Sequence, residues 1–425
     1  MNTLSRCKLG LLISLAGLAA GAMPAAAEEW PQFRGPQRDG KSSETGIIKN
    51  WETHPPKLLW MTEGSGDGYA SLACVGGRIF TTGNLKDGQG VVAMDAKDGK
   101  VLWSTVLTES PPKHGFEGAR CTPTVVGDKL WVTTSNGTIA CLTTEGKLVW
   151  KKDFKTEWDG RMMSGWGYAE SVLIDGGAAV CTPGGPDAMM VALDKDTGAE
   201  IWKCKMPDFT QTGKDGAGYG SIVISMGAGV KQYVQMTGRG VIGVRASDGG
   251  FLWGYDHSAN KTANISSPVI SGDYVFSSTA YGAGAGLVKL VKDGAGVKAE
   301  EVYFLKPDTL QNHHGGMVLV DGYIYCGHKQ NGGDPVCVEL TTGKVMWGPE
   351  KSPGKGSAAV TYVDGHLIFR YQNGLVALVE ANPKQFVLKG SFMPEFQQKE
   401  SWSHPVISGG RLYLREQNKL MCYEL

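Results

Sequence analysis

Nine polar and aromatic residues of this sequence could bind a ligand or assist a reaction, and each lies at or just before the start of a strand-like segment. They are Arg120, Tyr168, Glu170, Tyr219, Asn264, His314, Lys355, Trp402 and His404. Arg120 and Lys355 could hold carboxylates of an acidic ligand, and an arginine can do so through two parallel hydrogen bonds. These cations favour the binding of a small polar or anionic ligand.

The aromatic residues of the set favour the same interpretation. Tyr168, Tyr219 and Trp402 could stack on a planar ring or a sugar, and the amide of Asn264 could fix its orientation. Polar, aromatic and basic groups that converge on a concave surface are typical of a binding pocket. The alternative is a water-filled channel whose polar residues bind one another and ordered water.

The sequence does not identify catalytic residues. Glu170 or His314 could act as a general base if burial or a neighbouring charge adjusted its pKa. His313, His314 and His328 could suggest a metal site, but carboxylate or Cys-x-x-Cys partners are missing at ligand spacing, so we expect no metal. Buried thiols are the expected state of the cysteines, although export would permit a disulfide such as Cys181 to Cys204.

An eleven-residue repeat supplies the elements that must position these residues. Five copies place a small residue first, glycine seventh and tryptophan last: AMDAKDGKVLW (93–103), ACLTTEGKLVW (140–150), ALDKDTGAEIW (192–202), GVRASDGGFLW (243–253) and CVELTTGKVMW (337–347). The pattern is typical of a β-hairpin whose turn glycine takes a positive φ. The small residue leaves room for the indole, whose N–H can reach a neighbouring backbone carbonyl.

The spacing of the repeats predicts an all-β fold, an eight-bladed β-propeller over residues 58–425. A second strand pair precedes each copy, and the first five tryptophans of the series lie 43 to 52 residues apart, the length of a propeller blade. The docking tryptophans are Trp60, Trp103, Trp150, Trp202, Trp253 and Trp347, with Tyr303 and Leu388 in the same place in two further units. The last unit lacks its outer strand, and PKLLW at 56–60 supplies it. Pairing of this N-terminal strand into the C-terminal blade closes the ring.

This architecture brings the nine residues together. The first strand of each propeller blade lines the central channel, so the residues just before it converge on an axial funnel at the top face. The stretch RMMSGWG, from Arg161 to Gly167, lies on the connection that enters blade three. Such a loop either covers the funnel or presents a surface to a partner.

The first 27 residues are typical of a cleaved signal peptide. A basic start precedes an apolar stretch over 9–23 and alanines at 25–27, which predicts cleavage after Ala27 and a periplasmic or secreted protein. Residues 28–57 then form an N-terminal extension. No later apolar stretch approaches the length of a membrane helix. The 42 basic and 42 acidic residues balance, which argues against a nucleic-acid binder.

With its repeats aligned, the chain resembles the PQQ-like (quinoprotein alcohol dehydrogenase-like) β-propeller repeat family, whose motif is A-x-D-x-x-T-G-x-x-x-W. EWPQFRGPQRDG, RMMSGWGYAES, QNHHGG and FRYQNG resemble its exported bacterial members. One branch implies PQQ with calcium and carries a pair of adjacent cysteines, which is absent here. The other resembles the propeller subunit of the outer-membrane protein assembly machinery, a scaffold for envelope proteins. We expect a binding or scaffold protein that holds a ligand or partner at the funnel. The alternative is a PQQ-dependent alcohol or sugar oxidoreductase.

Overall fold

Eight four-stranded antiparallel sheets form consecutive blades in this computed structural model, which describes Met1 and residues 28–209 and 212–425. The prediction of an all-β, eight-bladed β-propeller is therefore confirmed. Apart from Met1, the predicted signal peptide at 1–27 lies outside the described residues. No helix in the described part of the chain has the length and apolarity needed to cross a membrane.

The first half of the chain supplies one isolated strand and four complete blades. β1 (Leu58–Glu63) comes first in the sequence but belongs to the eighth blade. From its channel-side strand outwards, blade one contains β2 (Ala73–Val75), β3 (Arg78–Asn84), β4 (Gln89–Asp95) and β5 (Val101–Val106), and blade two contains β6 (Thr124–Val126), β7 (Lys129–Thr133), β8 (Thr138–Thr143) and β9 (Leu148–Asp153). In the same order, blade three contains β10 (Leu173–Asp175), β11 (Ala178–Cys181), β12 (Met190–Asp194) and β13 (Glu200–Cys204). Blade four contains β14 (Val223–Ser225), β15 (Gln232–Thr237), β16 (Gly240–Arg245) and β17 (Phe251–Tyr255).

The second half completes the ring in the same order. Blade five contains β18 (Val269–Ser271), β19 (Tyr274–Thr279), β20 (Gly284–Asp293) and β21 (Gly296–Leu305), and blade six contains β22 (Met317–Val320), β23 (Tyr323–His328), β24 (Asp334–Glu339) and β25 (Val345–Trp347). Blade seven contains β26 (Ala358–Val363), β27 (His366–Tyr371), β28 (Val376–Glu380) and β29 (Leu388–Phe392). Blade eight contains β30 (Val406–Ile407), β31 (Arg411–Glu416) and β32 (Lys419–Glu424), with β1 as its outermost strand. A short helix, α1 (Phe154–Trp158), follows β9, and a 3-10 turn spans Gly227–Gly229.

The position of a strand within its blade explains its composition. Middle strands such as β4 (QGVVAMD) are buried on both faces because each blade packs between two others. The outermost strand β1 instead alternates between half-buried and exposed positions along its length.

The ring is closed by the N-terminal strand, as the split eighth unit predicted. β1 pairs antiparallel with β32, which places Leu58 opposite Tyr423 and Trp60 opposite Cys422. This pairing gives the last blade its fourth strand and leaves no gap between the first and last blades.

At five of the junctions between described blades, an aromatic ring of one blade docks on the turn glycine of the next. A Cβ atom on Gly99 would lie 2.6 Å from the Trp60 ring, and one on Gly146 would lie 2.7 Å from the Trp103 ring. Both glycines have positive φ, 75° and 83°, so conformation and contact both require glycine. The same contacts recur for Trp150 on Gly198, Trp202 on Gly249 and Tyr303 on Gly343. The Trp103 Nε1–H also donates to the Thr144 carbonyl at 3.1 Å, as the repeat predicted.

Two details of the repeat differ from the sequence alignment. Cys141, not Ala140, lies opposite Trp150. In blade seven the expected docking residue Leu388 pairs with Val379 and is 36% exposed. The buried Trp51 of the N-terminal extension packs into the core of blades seven and eight instead.

We call the N-terminal extension, residues 28–57, the arm; residues 30–42 of it contact the channel-side strands, whereas Trp51 bonds to Lys389 of the outermost strand of blade seven. Backbone hydrogen bonds join Trp30 to Cys74 of blade one, Pro31 to Val125 of blade two and Gly40 to Tyr362 of blade seven. The arm therefore touches the channel-side strands of blades one, two and seven.

Two arginines of the arm bind further blades. Arg38 donates to the carbonyl oxygens of Ile222 at 2.9 Å and Ser171 at 2.7 Å, which belong to blades four and three. Arg34 donates to the carbonyl oxygen of Met317 in blade six at 2.5 Å. The arm thus fills the channel through contacts with backbone carbonyls, which any sequence presents.

Candidate functional site

A cavity of about 350 Å³ opens at the end of the channel where the first strands begin, and we call it the funnel. Seven of the eight segments that precede a first strand contribute to its lining, and blade seven contributes Gln372 instead. Phe33 and Arg34 of the arm line its deep end. Five of the nine residues proposed from sequence line the funnel: Arg120, Tyr219, His314, Trp402 and His404.

Trp402 is the centre of an aromatic wall. Its ring centroid lies 4.9 Å from those of Tyr69 and Phe116 and 4.7 Å from that of His314. Tyr219 lies on another part of the lining, where its hydroxyl contacts Ser164 Oγ at 2.7 Å. These rings offer aromatic surface against which an apolar or planar group can pack.

Arg120 positions the rim of the funnel. Its Nε donates to the Trp166 carbonyl at 2.8 Å, and its Nη2 donates to the carbonyls of Gly115 and Phe116 at 2.8 and 2.7 Å. The guanidinium carbon lies 5.1 Å from the Tyr69 ring centroid. Burial lowers the pKa of Arg120 to about 10, so it remains a cation at neutral pH.

The imidazoles of the funnel are neutral at neutral pH. Burial lowers the pKa of His313 to about 4 and that of His404 to about 3, and it holds the pKa of His314 well below its usual range. Both ring nitrogens of His313 already contact hydroxyls, Ser357 Oγ at 2.7 Å and Tyr281 OH at 2.9 Å. Across residues 28–209 and 212–425, no group of three or more His, Cys, Asp or Glu side chains is placed to hold a metal ion.

Several buried polar atoms of the funnel have no hydrogen-bond partner within the protein. They are Arg34 Nη1, His314 Nε2, Gln372 Oε1, Trp402 Nε1 and His404 Nδ1. A buried polar group without a partner costs about 1–3 kcal/mol. Such groups are commonly satisfied by water or by a ligand.

Tyr168 and Glu170 do not line the funnel, whereas Ala169 between them does. Tyr168 packs in the core of blades two and three, and its hydroxyl donates to the Pro183 carbonyl at 2.8 Å. The Glu170 carboxylate accepts hydrogen bonds from Thr182 N at 2.7 Å and from Gln235 Nε2 at 2.9 Å. Burial raises the pKa of Glu170 to about 7.

Asn264 and Lys355 also lie outside the funnel. Asn264 is fully buried; its amide nitrogen donates to the carbonyls of Thr237 and Gly238, and its oxygen accepts from Asn260 N. With these bonds made, Asn264 fixes a turn and cannot orient a ligand. Lys355 is exposed and is not part of the lining.

Other lining residues were not among the nine proposed from sequence for ligand binding: Phe33, Arg34, Tyr69, Phe116, Trp166, Tyr281, His313, Gln372 and Glu400. Tyr69 and His313 lie in the segments before the first strands of blades one and six, so their position was a usable signal. Trp166 lies in the RMMSGWG loop, which we expected at the top face. Nothing in the sequence indicates that Arg34 enters the funnel.

The fold and the site define a class of protein, an eight-bladed propeller with tryptophan docking and an aromatic funnel at one end of its channel. A family model described as "Outer membrane protein assembly factor BamB" and named for the PQQ repeat matches residues 42–121 and 113–349. These overlapping segments cover more than half of the 425 residues. The chain therefore belongs to this PQQ-like β-propeller repeat family.

Solved structures with different activities share the fold. BamB from Moraxella catarrhalis is 12% identical with a TM-score of 0.58, over 87% of this chain and 98% of that one. A europium-containing methanol dehydrogenase is 11% identical with a TM-score of 0.62, over 94% and 98%. A quinohemoprotein alcohol dehydrogenase from Comamonas testosteroni is 12% identical with a TM-score of 0.62, over 93% and 80%. No curated protein sequence matches the chain. At these identities the similarity shows the fold alone.

The residues of the funnel do not fit PQQ together with calcium. Calcium prefers six to eight oxygen ligands, largely carboxylates. Within the described residues, Glu400 is the single carboxylate that lines the funnel. The eight cysteines described are buried thiols, none adjacent to another in the sequence.

Proposed function

We propose that this protein is an exported binding propeller that holds a small ligand, or a projecting group of an envelope partner, in the funnel. The observation that carries the proposal is the set of unpartnered buried polar atoms on Arg34, His314, Trp402 and His404, which lie within the lining of one cavity. A ligand that completes their hydrogen bonds recovers the free energy that burial costs. The volume of about 350 Å³ falls within the range of small-molecule sites.

The rim of the funnel supports contact with a larger partner. Phe116 lines the cavity and is 49% exposed, and its carbonyl is held by Arg120. Exposed aromatic residues at the mouth of a pocket are typical of interaction sites. Export rests on the leader pattern of residues 1–27.

The first experiment identifies the ligand. The chain beginning at Glu28 is purified from its own envelope, and small molecules released on denaturation are analysed by mass spectrometry. Purified candidates are then titrated, with tryptophan fluorescence and calorimetry as readouts. We expect saturable binding in the wild-type chain.

Two matched variants test the location. Trp402→Leu removes an aromatic contact and an N–H donor, so affinity should fall about tenfold or more. Lys355→Gln alters an exposed residue outside the funnel and should bind like the wild type. Equal affinity in Trp402→Leu and the wild type would place the site elsewhere. Saturable absorbance from added PQQ and calcium, with dye reduction on alcohols or sugars, would support the oxidoreductase instead.

A further inference from the structure

The deep end of the funnel is built around a guanidinium from the arm. Arg34 is 5% exposed, and its Nη2 donates to the carbonyls of Met317 at 2.5 Å and Asp39 at 3.0 Å. Its Nη1 has no partner within the protein. Burial lowers the pKa of Arg34 to about 10, and the charge of Asp39 opposes that shift, so the group is cationic at neutral pH.

Two glycines make room for this guanidinium. A Cβ atom on Gly316 would lie 2.2 Å from Arg34 Nη1, and one on Gly40 would lie 2.6 Å from Nη2. Both glycines have positive φ, 71° and 77°. The backbones of blade six and of the arm are therefore shaped to receive Arg34.

Uncharged groups with unpartnered nitrogen atoms share this lining. His404 is 9% exposed, its Nδ1 lacks a partner, and its ring lies 5.0 Å from that of Phe33. His314 Nε2 and Trp402 Nε1 are also unpartnered. Since the imidazoles are neutral, His314, Trp402 and His404 offer Arg34 neighbouring donors and acceptors that carry no charge.

The structure assigns to Arg34 the role of anchor in an oxyanion subsite that takes the carboxylate of a small ligand. This assignment rests on the proposed function of the funnel and names the ligand class. Hydrogen bonds between a cation and a carboxylate are about twice as strong as neutral ones. Arg34 Nη1 can supply them without giving up its bonds to the backbone.

A monoanion matches the charge of the site better than a dianion. The charged residues of the lining are the cations Arg34 and Arg120 and the carboxylate Glu400, which leaves one net positive charge, and the N–H groups of Arg120 at the rim already bind three carbonyls. A phosphate dianion would leave one charge uncompensated in a desolvated site, which is costly. The aromatic wall around Trp402 then receives the apolar or planar body of the same ligand.

The test compares each acid with its own amide on the mature chain. Phenylacetate, 3-phenylpropanoate and indole-3-acetate are each paired with the corresponding amide in calorimetric titrations at pH 7.5. We expect the carboxylate to bind at least tenfold more tightly than the amide. Arg34→Gln should abolish this preference, Arg34→Lys should keep part of it, and Lys355→Gln should keep all of it.

The outcomes separate this subsite from the wider function. Equal affinity for acid and amide in the wild type, or no binding of any pair, overturns the carboxylate subsite. The proposal that the funnel binds a ligand is then tested separately, by identification of the co-purified ligand and by its affinity for Trp402→Leu. An unchanged preference in Arg34→Gln overturns Arg34 as the anchor, and tighter binding of phenyl phosphate overturns the choice of a monoanion. The wild-type comparison needs no variant, and circular dichroism melting checks that Arg34→Gln folds.

Discussion

Replacement of Arg38 by methionine should destabilise the whole ring, because this side chain joins the arm to two blades. Methionine keeps most of the apolar stem but removes the hydrogen bonds to the carbonyls of Ser171, Val172 and Ile222. The Val172 carbonyl keeps the Thr124 hydroxyl as a donor at 2.6 Å, so two buried carbonyls lose theirs; at about 1–3 kcal/mol each, we expect a loss of about 4 kcal/mol. Glu170 adds little to this cost because burial already raises its pKa to about 7 and lets it protonate.

The loss corresponds to a clear shift in melting temperature. With an unfolding entropy of about 2.1 cal/mol/K per residue, a chain of this size should melt about 5 °C lower. Calorimetry and urea unfolding measure the change. Arg245→Met is the matched control, since its guanidinium pairs with Asp248 on the surface at 3.0 Å and should contribute about 1 kcal/mol or less. If Arg38→Met lowers stability no more than Arg245→Met, the arm does not brace the channel.

Three further predictions concern docking, pH and a buried ion pair. Gly99→Ala should lower the free energy of unfolding in urea by about 2–5 kcal/mol, because it strains the backbone and displaces the Trp60 ring. The control Gly229→Ala has the same φ of 75° but open space around it, so it should cost about 1–2 kcal/mol. Equal losses in the two variants would argue against docking. Because burial lowers the folded pKa of His404 to about 3, its contribution to stability is full above pH 6.5 and is lost as the pH falls towards 3. Between pH 7 and pH 5 the wild type should lose about 2 kcal/mol more than His404→Gln, a comparison in which the opposite contribution of Glu170 cancels; parallel pH profiles would contradict it. Glu416→Gln should lower stability by about 3–5 kcal/mol because it leaves the buried Arg370 without its counter-ion. The double variant Arg370→Met with Glu416→Leu should lose less stability than the sum of its two single variants, because the two side chains interact. Additive losses would rule out this coupling.

The sequence predicts the blades well because docking is a local requirement. A hairpin turn such as that of Gly99 needs positive φ, and the ring that covers it needs an aromatic residue at a fixed distance in the chain. Such constraints repeat in every blade and are visible without coordinates. Where a copy is degenerate, as at Leu388, the long-range contact of Trp51 is not visible in the repeat.

The funnel is predicted only in outline because side-chain direction changes from one residue to the next. Seven of the eight segments before the first strands contribute to the lining, yet Ala169 lines the cavity while Tyr168 and Glu170 turn into the blades. These segments have no regular secondary structure, so no fixed alternation of side chains predicts which residue faces the cavity. The path of the arm leaves still less trace, since Arg34 and Arg38 bind backbone carbonyls that carry no sequence signature.

Closure of the ring and construction of the funnel depend on the same contacts. The buried Arg415 of blade eight donates to the carbonyls of Gly66 and Thr82, both at 2.7 Å, and so fixes the chain that runs from β1 into blade one. That stretch carries Tyr69, whose ring lies 4.9 Å from Trp402 of blade eight. The two rings therefore face each other across the junction where the ends of the propeller meet. The two rings are already in contact, so a ligand that packs against both of them must stabilise the closed ring, since opening the junction would separate the rings and divide its binding surface.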